Sequence, residues 1–98
     1  MPIVNYADKG TRDIAAGLNT KESRRLLTGT LHDAARRKLA FLNAVVSLDD
    51  LRARQGLHLH ELRGDRRGQW SIRINDQFRI CFAWVAPIAT DVEITDYH

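Results

Sequence analysis

The sequence predicts an α+β domain, with N-terminal helices packed on one face of a small antiparallel sheet. Three observations carry this. Apolar residues recur at helical spacing as far as residue 46 and at a period of two after Gly56. The helices come first and the strands follow as a run, without alternation. The 98 residues make one domain spanning 1–98. A chain of this size hides about two-thirds of its surface on folding, so one sheet and a few helices use up its core.

Each element follows in order. Residues 2–6 (PIVNY) read as a short opening strand, and Asp8 as the cap of a helix over 9–17 that stops at Gly17. Residues 20–29 (TKESRRLLTG) read as a second helix, capped by Thr20 and stopped by Gly29. Thr30 caps a longer helix, whose apolar stripe is Leu31, Ala34, Ala35, Leu39, Leu42, Val45 and Val46. Ser47, with Asp50 three residues on, starts one more short turn of helix. Residues 57–62 (LHLHEL) alternate, which sets His58 and His60 on one face of a strand and Leu57 and Leu59 on the other. RGDRRG at 63–68 is a turn, followed by strands over 69–74, 78–84 and 91–96. Pro87 cannot donate to a ladder and falls in the connection over 85–90. The sheet face away from the helices is expected to be open to solvent.

Composition narrows the partners. Net charge is +3, and arginine supplies twelve of the fifteen basic residues. A planar guanidinium fork suits phosphate, so this balance fits a nucleic-acid partner; a GC-rich genome gives the same bias. The single cysteine, Cys81, forms no internal disulfide and fits the interior of a cell. No 18-residue apolar run predicts a membrane span, and MPIVNYADKG lacks a secretory pattern, so the expected location is cytoplasmic.

The register of one hairpin decides where the arginines go. A two-residue loop at Asn75-Asp76 would pair Ile74 with Gln77 and Ile72 with Arg79. A three-residue loop, 75–77, pairs Ile74 with Phe78, Ile72 with Ile80 and Trp70 with Phe82, all apolar. A slip of one residue turns over the whole set, so the second register is preferred. It places Arg73 opposite Arg79 and Ser71 opposite Cys81 on the open face. Like charges set across a strand pair repel by about 1 kcal/mol or less when solvated. Two readings follow. Either the arginines splay into water, held by Asp91 or Glu93, or an anion such as a phosphodiester bridges them.

The same face is expected to gather His58, His60 and Arg63, the turn residues Arg66 and Arg67, and the terminal Asp96, Tyr97 and His98. These are the parts of a metal-free ribonuclease. Histidine transfers protons near neutral pH, arginine holds charge on the phosphorane, and tyrosine stacks on an unpaired base. The duller reading is a solvated basic face. His-x-His lacks the cysteine pair or third spaced ligand of a zinc site, so no metal or cofactor is predicted.

The stretch LHLHELRGDRRGQWSIRINDQFRICFAW, with DVEITDYH at 91–98, closely resembles the HigB toxins of the RelE/ParE superfamily. The shared pattern is leucine–x–x–leucine–basic–glycine–aspartate–arginine, then glycine–x–tryptophan–serine–isoleucine, an aromatic–arginine–hydrophobic strand and a closing aspartate–tyrosine–histidine. It is strong over 57–98, looser over 38–51 (KLAFLNAVVSLDDL) and faint before that. The resemblance implies a bacterial type II toxin with a compact RelE-like fold, which cleaves messenger RNA in the ribosomal A site and meets ribosomal RNA there. It implies a helix-turn-helix antitoxin of the HigA kind as partner, with operator DNA reached only through that antitoxin. It ties His60, Arg63, Arg79, Asp96, Tyr97 and His98 to RNA cleavage, Arg63 standing where lysine is usual. Arg66, Arg67 and Arg73 join them as RNA contacts, Arg73 on the register argument alone. A ParE-like toxin on the same fold that binds gyrase, needing no terminal histidine, is the alternative. An accessory nucleic-acid-binding module is the third reading.

Overall fold

The computed structural model describes residues 2–96. Its helices are α1 (Lys9–Ala15), α2 (Lys21–Leu26), α3 (Gly29–Ala44) and α4 (Leu48–Arg52). Its strands are β1 (His60–Glu61), β2 (Gln69–Arg73), β3 (Phe78–Val85) and β4 (Ile88–Asp96). Among the described residues the strands make one antiparallel sheet in the order β1–β2–β3–β4, so the expected α+β meander is present. None of the described helices is long and apolar enough to cross a membrane.

The caps explain where the helices start. Asp8 Oδ1 accepts from Thr11 N at 2.7 Å, and Thr20 and Ser23 exchange side-chain bonds in a capping box. Asp50 Oδ2 accepts from Val46 N at 3.0 Å and from Ser47 N at 3.3 Å, holding the entry to α4. Gly29 is not the stop of α2 that its type suggested. It is the first residue of α3, and Thr28, not Thr30, takes the N-cap position. Leu27 ends α2 in an extended conformation and buries its side chain, so two residues suffice to turn the chain. His32 closes this joint: its Nε2 lies 2.8 Å from Leu27 O and 3.2 Å from Ser23 O, so that nitrogen carries the donated hydrogen.

The apolar stripe of α3 is buried at Ala35, Leu39 and Leu42, but it breaks after Ala44. Val45 is extended and points inward, so the next residue, Val46, points out and is 72% exposed. The helices bury Ile14, Leu39, Leu42 and Leu51 against Ile72, Ile80, Phe82, Val92 and Ile94 from one face of the sheet. Trp70 and Trp84 pack at the margin of this core as half-buried residues. Burying side chains of this kind contributes about 1.5–3 kcal/mol each.

The opening segment is not a full strand of the sheet. Ile3 and Tyr6 bridge Ala89 and Val92 in parallel, along the outer edge of β4. Ala89 N donates to Pro2 O, and Val92 N donates to Asn5 O. Where this segment leaves, α1 takes over: Thr11 Oγ1 accepts from Ile94 N at 3.0 Å in a buried site. The edge of β4 is thereby satisfied by the chain's own beginning. Asn5 and Asp91 lock the arrangement reciprocally, at 3.1 Å and 3.0 Å, and Asp91 takes the left-handed backbone (φ 53) next to the irregularity in the β3–β4 ladder.

A candidate RNA-cleaving face

The hairpin register is the expected one: Trp70 faces Phe82, Ser71 faces Cys81, Ile72 faces Ile80 and Arg73 faces Arg79. Ile74 N donates to Phe78 O at 2.9 Å, and Asn75 Oδ1 accepts from Gln77 N and Phe78 N, which closes the three-residue loop. Pairing with the outer strands then builds two rows across the face opposite the helices. One row is His60, Ser71, Cys81 and Glu93; the other is Arg73, Arg79 and Thr95. Neighbouring strands lie about 4.8 Å apart, so residues within a row are side by side.

This face is not open in the way expected. Ser71 and Cys81 are fully buried and Leu62 is nearly so, yet none of the three belongs to the helix-side core. Long side chains lie across the small ones. Arg79 reaches back over Ser71: its Nε donates to Ser71 Oγ at 2.7 Å and its Nη2 donates to His58 O at 2.6 Å. Arg66 spans the sheet from the other side, donating to Glu93 Oε1 at 2.9 Å and Gln69 Oε1 at 3.0 Å. Burial pushes the Cys81 thiol above its ordinary value, against a smaller opposing pull from the Thr95 hydroxyl beside it.

The two opposed arginines avoid each other by leaning apart. Arg79 turns towards β1, while Arg73 pairs with Asp76 in the hairpin loop. Neither Asp91 nor Glu93 holds them; Asp91 bonds Asn5 and Glu93 bonds Arg66. The long first strand expected over 57–62 is also absent. Residues Gln55–Leu57 form a 3₁₀ turn, His58 is left-handed at φ 47, and pairing begins at His60. His58 and His60 therefore do not share a strand face; His58 offers its carbonyl oxygen rather than its ring.

His60 lies in the row of Ser71, on the side towards which Arg79 leans. Arg63 is exposed at the start of a second 3₁₀ turn, Gly64–Arg66. It lines an open groove of about 490 Å³ with Leu59, His60, Glu61 and Leu62. Arg67 is exposed just beyond that turn. Asp96 stands apart by register: it faces Phe78, on the helix side of the sheet, and its Oδ2 accepts from Gln77 Nε2 at 2.9 Å. Tyr97 and His98 lie outside the described residues. What the motif missed was Ser71 Oγ and His58 O as partners of Arg79; a small polar residue between Trp70 and Ile72, on the arginine face, was the available signal.

The family model for the RelE-like toxin of the type II toxin–antitoxin system HigB matches residues 6–98. The chain belongs to this HigB-like family. As a type II toxin it has an antitoxin as its partner. Toxin HigB-1 of Vibrio cholerae serotype O1 is 38% identical over 65 residues, covering 66% of this chain and 68% of that protein. Endoribonuclease HigB of Proteus vulgaris is 42% identical over 45 residues, covering 46% of this chain and 49% of that protein. The toxin thus has the RelE-like α+β fold expected from its second half.

Proposed function

We propose that the toxin is a ribosome-dependent endoribonuclease that cuts messenger RNA in the ribosomal A site and so arrests translation in the bacterial cytoplasm. A helix-turn-helix antitoxin of the HigA kind would neutralise it and carry it to operator DNA. The similarity to a protein named Endoribonuclease HigB supports the reaction class. The observation that carries it is the placement of Arg79, held over Ser71 and aimed at the His60 side of the same sheet face.

In this reading Arg79, Arg63 and Arg73 hold the scissile phosphate and Arg67 extends the contact to the RNA backbone, while Arg66, expected beside it, is engaged by Glu93 and Gln69. One of His60 and His98 takes the proton from the 2′-hydroxyl, whose oxygen attacks phosphorus. The other gives a proton to the departing 5′-oxygen, leaving a 2′,3′-cyclic phosphate. Tyr97 packs on a base, and Asp96, turned to the helix side of the sheet, takes no part in the transfer at His60. Arginine charge stabilises the phosphorane, and the ribosome distorts the message towards in-line attack.

The test is cleavage of a defined message on programmed ribosomes by purified protein. Wild type is expected to cut in the A site, and Arg79→Ala and a deletion of His98 are each expected to lose about 10²-fold or more in rate. Equal cutting by both variants overturns the assignment. Intact mRNA with accumulating DNA breaks after induction points instead to a gyrase-binding toxin.

A further inference from the structure

We infer that Ser71 and the main chain of His58 are positioning groups for Arg79, so that the toxin meets an RNA phosphate with a guanidinium whose plane the fold has already set. This rests on the endoribonuclease reading above. Ser71 is 0% exposed although it carries a hydroxyl. A buried hydroxyl needs a partner, and here that partner is Arg79 Nε–H at 2.7 Å. The neighbouring Nη2 donates to His58 O at 2.6 Å and, at longer range, to Ser71 O at 3.4 Å. Nε and Nη2 form one edge of the guanidinium fork. A single bond would leave the group free to rotate; two acceptors along one edge fix its plane.

The carbonyl acceptor is aimed by local backbone geometry. The 3₁₀ turn Gln55–Leu57 is anchored by buried Leu57 and ends in His58 at φ 47, which turns the His58 oxygen towards the sheet. The contribution of His58 is therefore that of its backbone, and its ring stays exposed. A free arginine side chain samples many rotamers, and immobilising it costs entropy. The clamp removes that freedom before RNA arrives, and a prepositioned cation stabilises developing charge without reorganising. The effect belongs to the rate of the chemical step more than to binding, because the same cation is present with or without the clamp.

Single-turnover cleavage on programmed ribosomes tests this. Ser71→Ala is expected to lower the rate about ten- to a hundredfold, and the half-saturating protein concentration by less than about threefold in either direction. Ser71→Thr, which keeps the hydroxyl, recovers most of the rate. In an Arg79→Ala background, Ser71→Ala has no further effect, because it acts through Arg79. His58→Val, whose branched side chain disfavours positive φ, falls further than His58→Asn. Independently of cleavage, the NMR signal of Arg79 Nε–H is slow to exchange in wild type and fast in Ser71→Ala at an unchanged melting temperature. Wild type that protects this hydrogen but cuts no RNA overturns the endoribonuclease reading and upholds the clamp. Full activity in Ser71→Ala, or a loss that adds to that of Arg79→Ala, overturns the inference.

Discussion

Asp13 shows how a single side chain ties the helical layer together. Its carboxylate is nearly buried and accepts from Lys9 Nζ at 2.6 Å and from Thr20 Oγ1 at 2.7 Å. The bond from Lys9, then that from Thr20, holds its pKa below the ordinary 3.8. Between that lower folded value and 3.8, the unfolded chain binds more protons than the native one. The stabilisation is therefore present above 3.8 and is lost as pH falls through the folded value. Melting curves followed by circular dichroism on either side of pH 3.8 are expected to show a steeper acid loss in wild type than in Asp13→Asn. Parallel curves would remove Asp13 from this role.

At the scale of elements, close approach separates two glycines that look alike in the sequence. A Cβ on Gly10 would sit 2.9 Å from the Glu22 carbonyl oxygen and 3.1 Å from Leu26 Cδ2, so α1 and α2 pack as they do only over a glycine. Gly29 meets nothing within 4 Å and has an ordinary helical backbone at the start of α3. Gly10→Ala is expected to cost about 1–3 kcal/mol. Gly29→Ala should add about 0.4–1 kcal/mol. Thermal melts read both, at about 4–8 °C per kcal/mol for a domain of this size. A Gly10→Ala protein as stable as wild type would contradict the packing.

The elements also show what was legible beforehand. The β2–β3 register was readable because only one loop length pairs Trp70, Ile72 and Ile74 with apolar partners, and core burial enforces it. The start of β1 was not, because Leu57 is buried equally well by a 3₁₀ turn as by an alternating strand. Gly29 misled because a glycine after a leucine run reads as a helix stop, while the burial of Leu27 made the break earlier. Of the candidate site, Arg79 and Arg73 were placed on one face by the hairpin register and His60 by its period of two. The acceptors of Arg79 were not, since one is a main-chain oxygen whose direction depends on a left-handed residue.

Across the whole molecule, the basic residues divide into those used by the fold and those turned outward. Arg66 spans the sheet to Glu93 and Gln69, whereas Arg67 beside it is exposed. Arg66→Ala is expected to lower the melting temperature, because it leaves Glu93 and Gln69 without that partner. Arg67→Ala is expected to leave the melting temperature within about 1 °C and to reduce the salt dependence of RNA binding by about 0.7 in log–log slope, one phosphate contact on a single strand. Binding titrations over a range of salt, run beside melts of both variants, check the division. The reverse pattern would reassign the two.

The pairing of Ile3 with Ala89 and of Tyr6 with Val92 has a consequence for synthesis. Residues 2–6 find their seat only on β4, which is made after the rest of the described sheet. That strand also brings Glu93, the carboxylate that holds Arg66, and Thr95, the neighbour of Arg79. A nascent chain short of residue 89 has no completed sheet, and its Arg66 lacks the carboxylate of Glu93. The arginine-bearing face is therefore completed only once β4 has been synthesised and has taken up residues 2–6.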